Sequence, residues 1–64
     1  MVKVNGDEMN IAGMTVAQYL DTTSYDIARI AVERNGDIVF KAEYETTVIE
    51  DNDSLEVVSF VGGG

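Results

Sequence analysis

The sequence predicts one small α+β domain, a single sheet covered on one side by a single short helix. Three observations carry this. Two Asn-Gly pairs, Asn5-Gly6 and Asn35-Gly36, each sit between short alternating segments, the strongest local signal for a β-hairpin. One Thr-x-x-Gln box, Thr15 to Gln18, opens a stretch with apolar residues at helical spacing. The chain has 64 residues, enough for one core and no second domain.

Each element follows in order. Residues 1–5 alternate, with Val2 and Val4 against Lys3 and Asn5, which is the period of a strand. Asn5-Gly6-Asp7 turns the chain, and the return strand is expected from Glu8 to Ile11 or Ala12. Gly13-Met14 breaks the pattern. From Thr15, Val16, Tyr19 and Leu20 share one helical face. Asp21-Thr22-Thr23-Ser24 ends the helix, because these side chains compete for backbone hydrogen bonds. Two turns of helix do not persist alone in water, so this one must pack on the sheet. Residues 27–34 contain Ile30, Ala31 and Val32, the expected central strand. Ile38-Val39-Phe40 follows the second hairpin signal. Residues 41–45 read as a single turn, residues 46–49 as a short β-branched strand, and residues 50–53 as a solvated acidic turn. Residues 54–61 form the last strand, with Leu55 and Val57 inward and Glu56, Val58 and Phe60 on the opposite face.

Composition narrows the function. Twelve acidic residues stand against four basic ones, a formal net charge of -8. That balance argues against nucleic-acid binding, which needs cations to replace phosphate counterions. It also repels an anionic membrane surface. No apolar run approaches the ~20 residues of a transmembrane helix, and Met1 leads straight into Val2-Lys3-Val4 with no signal-peptide core. The chain has no cysteine and no histidine. It therefore has no disulfide, no ordinary zinc, haem or iron–sulfur site, and no Cys nucleophile or His base. Its serines lack a triad partner. Lys41 and Tyr44 are titratable, but nothing around them marks either as an acid or base. Glu50-Asp51-Asn52-Asp53 lacks the ligand spacing of an EF-hand loop. Absence of cysteine fits a cytoplasmic protein, and the acidity fits a basic docking face on a protein partner.

The most informative feature is the end, where an apolar strand runs without a spacer into Gly62-Gly63-Gly64. A carboxylate is a poor electrophile until activated, and ATP would turn this one into an acyl-adenylate. Such a terminus must enter an enzyme as a substrate. Glycine has no Cβ to obstruct a narrow channel, and three extended residues reach about 10 Å. The organisation expected is a domain over residues 1–61 and a flexible glycine tail over 62–64. Val58 and Phe60, beside that tail, form a candidate docking surface.

With these residues in view, the chain resembles the ThiS family, the sulfur carriers of thiamin thiazole biosynthesis. The resemblance rests on Val4-Asn5-Gly6, on Gly13-Met14-Thr15-Val16 with Tyr19-Leu20, on the segment from Ala31 through Val32-Glu33-Arg34-Asn35-Gly36 to Val39, and on the run from Asp53 through Phe60-Val61 to Gly64. Departures are Phe40-Lys41, where members often have Pro followed by Arg or Lys; Tyr44, where they often have Trp; and Asn52, where they often have Gly. The resemblance implies a β-grasp, ubiquitin-like fold, with a mixed sheet of four to five strands packed on one short helix. It implies that the chain is a protein co-substrate and not an enzyme, and is a monomer alone. Gly64 would be adenylated by a ubiquitin-activating-like enzyme using ATP and converted to a thiocarboxylate by a relay fed by a cysteine desulfurase. Thiazole synthase would take the sulfur. Gly62 and Gly63 would thread the tail, Val58 and Phe60 would dock, and no cofactor or metal would be bound by this chain. Rival readings are a molybdopterin-synthase small subunit, a ubiquitin-like modifier, and a β-grasp binding module whose terminus is never activated.

Overall fold

The computed structural model describes residues 1–60. Among them are five strands and one α-helix: β1 (Val2–Val4), β2 (Asp7–Met9), α1 (Val16–Asp21), β3 (Ile30–Arg34), β4 (Asp37–Val39) and β5 (Ser54–Ser59). Two 3-10 turns, Ile27–Arg29 and Lys41–Glu43, lie between them. The strands form one mixed sheet in the order β2-β1-β5-β3-β4. β1 and β5 are parallel; every other neighbouring pair is antiparallel.

Both expected hairpins form, each with a two-residue loop. Val4 pairs with Asp7 and Arg34 with Asp37. Asn5 and Gly6 have φ of 51° and 88°, and Asn35 and Gly36 have 52° and 88°. Two consecutive positive φ values make a type I′ turn, whose twist matches that of the strands it joins. The capping box is complete. The Gln18 N–H donates to Thr15 Oγ1 at 3.1 Å, and the Thr15 N–H donates to Gln18 Oε1 at 2.9 Å. Two further amides at the helix start find carbonyls in a loop: Val16 donates to Thr47 O at 2.9 Å and Ala17 to Tyr44 O at 2.8 Å. At the other end the Thr22 and Thr23 hydroxyls donate to the Tyr19 and Leu20 carbonyls, which closes the helix after two turns.

The core lies on one side of the sheet. Val16, Tyr19 and Leu20 of α1 pack with Val2, Val4, Ile30, Val32, Val39, Leu55 and Val57 from the strands, and with Tyr44 and Ile49 from the connecting loop. Each fully buried aliphatic side chain contributes roughly 1.5–3 kcal/mol. The alternation assigned to β5 holds: Leu55 and Val57 are buried, Glu56 and Val58 exposed.

Four expectations need correction. The central strand is β5, not β3. β3 is richer in apolar residues, but position in the sheet is set by the parallel pairing of β1 with β5. The return strand β2 stops at Met9. Residues 46–49 do not form a strand; Val48 makes a single bridge to Thr15. The turn over residues 50–53 is not wholly solvated, because Asp53 is only 6% exposed.

Asp53 is the entry to the central strand and joins four parts of the chain. Its carboxylate accepts from Arg34 Nε at 2.7 Å, Asn35 Nδ2 at 2.9 Å and the Glu50 N–H at 2.8 Å. Its carbonyl accepts the Lys3 N–H of β1 at 2.9 Å. Asn35 also exchanges bonds with Ser54, as its side-chain oxygen accepts the Ser54 N–H and its own N–H donates to Ser54 O. Asn52, just before, has φ 70°, a conformation Asn tolerates in place of Gly.

Burial pushes the Asp53 carboxyl pKa up. The Glu50 amide, the Asn35 amide and the Arg34 guanidinium together outweigh burial and hold it below its ordinary 3.8. A depressed pKa stabilises the fold above the ordinary value, and that contribution is lost as pH falls through the lower folded value. Asp53→Ala is expected to cost about 3 kcal/mol at neutral pH, since it strips a buried partner from Arg34 and two donors; urea denaturation measures it. Acid titration of Asp53→Asn should lack the parent's loss of stability below pH 3.8 that this carboxylate causes.

Candidate functional site

The site grows from the outgoing end of β5. Ser59 pairs with Ile30, and the Phe60 N–H still donates to Arg29 O at 2.6 Å, so β3 and the turn before it hold this edge to the last described residue. The other edge is held differently. β1 pairs with β5 only as far as Val4 and Leu55, because Asn5-Gly6 then turns away. Asn5 replaces the missing ladder. Its N–H donates to Leu55 O at 2.9 Å, its side-chain oxygen accepts the Val57 N–H at 2.8 Å, and its amide nitrogen donates to Val57 O at 3.2 Å. A residue read from the sequence as a turn former is thus also the clamp on the central strand.

Val58 and Phe60 are 47% and 54% exposed, on the sheet face away from the helix. Val61, Gly62, Gly63 and Gly64, including the expected modified terminus and the two threading glycines, lie outside the described residues.

The register shows that the exposed surface is wider than the Val58–Phe60 pair. Ala31 lies opposite Val58; Glu33 lies opposite Glu56 on one side and Ile38 on the other. Phe40 follows Val39, and alternation puts it on the same side as Ile38. Ile38 and Phe40 are 61% and 66% exposed. An apolar band therefore crosses β4, β3 and β5 on the open face. The signal was present in Ile38-Val39-Phe40, where one buried Val39 requires its two neighbours to face outward.

Other candidates resolve plainly. Tyr44 belongs to the core, where burial raises its phenol pKa, and Lys41 is exposed. An open groove of about 340 Å³ is lined by Arg34, Asn35, Asp37, Val39, Glu43 and Thr47. Its strongest donors are already engaged, Arg34 by Asp53 with Glu50 at 3.9 Å and Asn35 by Asp53 and Ser54. Among the described residues no group of three His, Cys, Asp or Glu side chains is placed to hold a metal ion. No described helix is long and apolar enough to cross a membrane.

Comparison with known proteins gives a family. The family model described as "ThiS family" matches residues 2–64. A thiazole synthase of Paramagnetospirillum magneticum is 45% identical over 62 residues, covering 95% of this chain and 19% of that protein. The sulfur carrier protein ThiS of Bacillus subtilis is 33% identical over 66 aligned positions, covering all of both chains. The crystal structure of the thiamine biosynthesis protein ThiS from Geobacter metallireducens superposes with a TM-score of 0.80 at 27% identity, covering 98% of this chain and 97% of that one. The chain spans about a fifth of the length of the two thiazole synthases it matches.

The Asn5 clamp makes a measurable prediction. Asn5→Gly keeps the left-handed turn and removes the side-chain bonds to Val57. The expected result is a loss of about 1–2 kcal/mol in urea denaturation, with faster hydrogen exchange at the Val57 amide than at the Val32 amide.

Proposed function

Because the chain belongs to the ThiS family, the sulfur carriers of thiamine biosynthesis, we propose that Gly64 carries the sulfur as a C-terminal thiocarboxylate. The observation that supports this best is the double hold on β5: it is bonded on one edge by Asn5 as far as Val57 and on the other by β3 and Arg29 as far as Phe60, four residues before Gly64. An enzyme that grips the open face then receives the tail from a defined point. In the proposed sequence, a Gly64 carboxylate oxygen attacks the α-phosphate of ATP on an adenylating enzyme, and pyrophosphate leaves. The outer sulfur of a persulfide supplied through a cysteine desulfurase attacks the acyl carbon, and AMP leaves; a thiol reductant then cleaves the S–S bond of the acyl disulfide, becoming a disulfide itself and releasing the thiocarboxylate. Thiazole synthase is the proposed acceptor of that sulfur, in keeping with the relatives of that name. The chain acts as a co-substrate in the cytoplasm; ATP and the catalytic groups belong to its partners.

Gly62 and Gly63 suit a narrow approach to the adenylating centre, since neither adds a Cβ. Val58 and Phe60 supply apolar contact beside the tail.

Intact mass spectrometry tests the reading. The 64-residue chain, incubated with adenylating enzyme, ATP and a sulfur donor, is expected to exchange one oxygen for one sulfur. The same chain lacking Gly64 should not change. An unaltered mass in the full chain, with the enzyme active on another carrier, would remove the proposal in favour of a binding module. Sulfur delivery to molybdopterin synthase in place of thiazole synthase would assign the carrier to the rival pathway.

A further inference from the structure

The open face carries a charge arrangement that the fold does not need. Glu33 of β3 and Glu56 of β5 lie directly opposite each other. Like charges in that position weaken an antiparallel pair. Elsewhere on the same face the rule is obeyed, as Lys3 of β1 lies opposite Glu8 of β2. Among the described residues neither Glu33 nor Glu56 forms an ion pair: Arg34 is turned to Asp53, and Arg29 is 3.5 Å from Asp26. The two carboxylates are bordered by apolar side chains, with exposed Ile38 at the end of their row and half-buried Ala31 and exposed Val58 in the next row. Phe40 and Phe60 extend that band at either side.

We propose that this face docks thiazole synthase through a surface that presents one arginine among apolar side chains, with the guanidinium lying across Glu33 and Glu56. The inference rests on the carrier reading and adds the chemistry of the partner. Directly opposed residues have Cβ atoms about 4.5–5.5 Å apart, and a planar guanidinium with five donors can pair with two such carboxylates in a fixed fork geometry that the three donors of a lysine ammonium do not reproduce. The apolar border excludes water when covered, which strengthens the ionic contact at its centre. A chain of net charge -8 favours a cationic partner surface in the same sense. Thiazole synthase fits as the occupant because two relatives so named contain a segment like this chain as about a fifth of their length. In those relatives the tethered segment meets the synthase at high effective concentration.

The test is calorimetric titration of thiazole synthase with the unmodified chain at low and high salt. Glu33→Gln and Glu56→Gln are each expected to raise Kd roughly tenfold or more, the loss of a hydrogen bond to a charged group. The double variant should lose little beyond either single one, because both remove the same guanidinium contact. Salt dependence should flatten in all three. Val58→Ser should raise Kd without flattening it. Thermal melting separates docking from folding, since each glutamine variant should melt no lower than the parent once the repulsion is gone. Three outcomes overturn the inference: Kd unchanged within about twofold in both single variants, no binding of the parent chain, or weakened binding of the adenylating enzyme alone. Thiocarboxylate formation followed by intact mass is independent of this titration. A parent that gains sulfur while the variants bind normally would overturn the docking and leave the carrier reading standing.

Discussion

The parallel pairing of β1 with β5 is the constraint on which the rest of the fold depends. Two parallel strands need a long crossover, and here the crossover is most of the molecule: β2, α1, β3, β4 and the loop that ends at Asp53. The pairing places the last strand in the middle of the sheet, with β1 on one edge and β3 on the other. The paired stretch is short, only Lys3 with Ser54 and Val4 with Leu55. Side chains supply what the ladder cannot. Asp53 fixes the strand where it enters, through Arg34, Asn35 and Glu50, and Asn5 fixes it where β1 turns away.

The chemistry proposed for Gly64 draws on the same constraint. A two-turn helix and three-residue strands are weak elements by themselves, so the stability of each comes from packing on the others. The central strand collects those contacts: Leu55 and Val57 lie in the core, and both edges are bonded. The residues that precede the glycines are thus attached to the most constrained element available. Core packing also uses one face of the sheet only. The opposite face keeps Val58, Phe60, Ile38 and Phe40 exposed, and none of the described residues covers them.

The parts of the structure legible in the sequence are those fixed within a few residues. Asn5-Gly6 and Asn35-Gly36 set their own backbone, Thr15 and Gln18 cap their own helix, and the alternation in residues 54–58 chooses its own faces. The parts that were not legible depend on distant partners. Asp53 looked like one more solvated acid because Arg34 and Asn35 lie 19 and 18 residues away. The second role of Asn5 depends on Val57, 52 residues on. The rank of β3 below β5 in the sheet and the reduction of residues 46–49 to one bridge are likewise pairing outcomes, which local apolar content does not report. The width of the exposed band was visible in part: the face of Val58 and Phe60 could be read from one strand, but joining it to Ile38 and Phe40 needed the register of three.

Recognition of such a carrier has to come from its body. Glycine tails carry no side chains, so an enzyme that accepts Gly62-Gly63-Gly64 gains from them reach and access but little discrimination. Partner choice then falls to the folded surface next to the tail, and specificity improves when wrong partners are repelled as well as right ones attracted. An apolar band alone would bind many surfaces. Glu33 opposite Glu56 at its border changes that, because covering two carboxylates with an apolar patch leaves buried charge uncompensated, whereas a placed guanidinium would satisfy both. The local cost to the sheet of holding two like charges together is small beside the penalty imposed on every partner that lacks the cation.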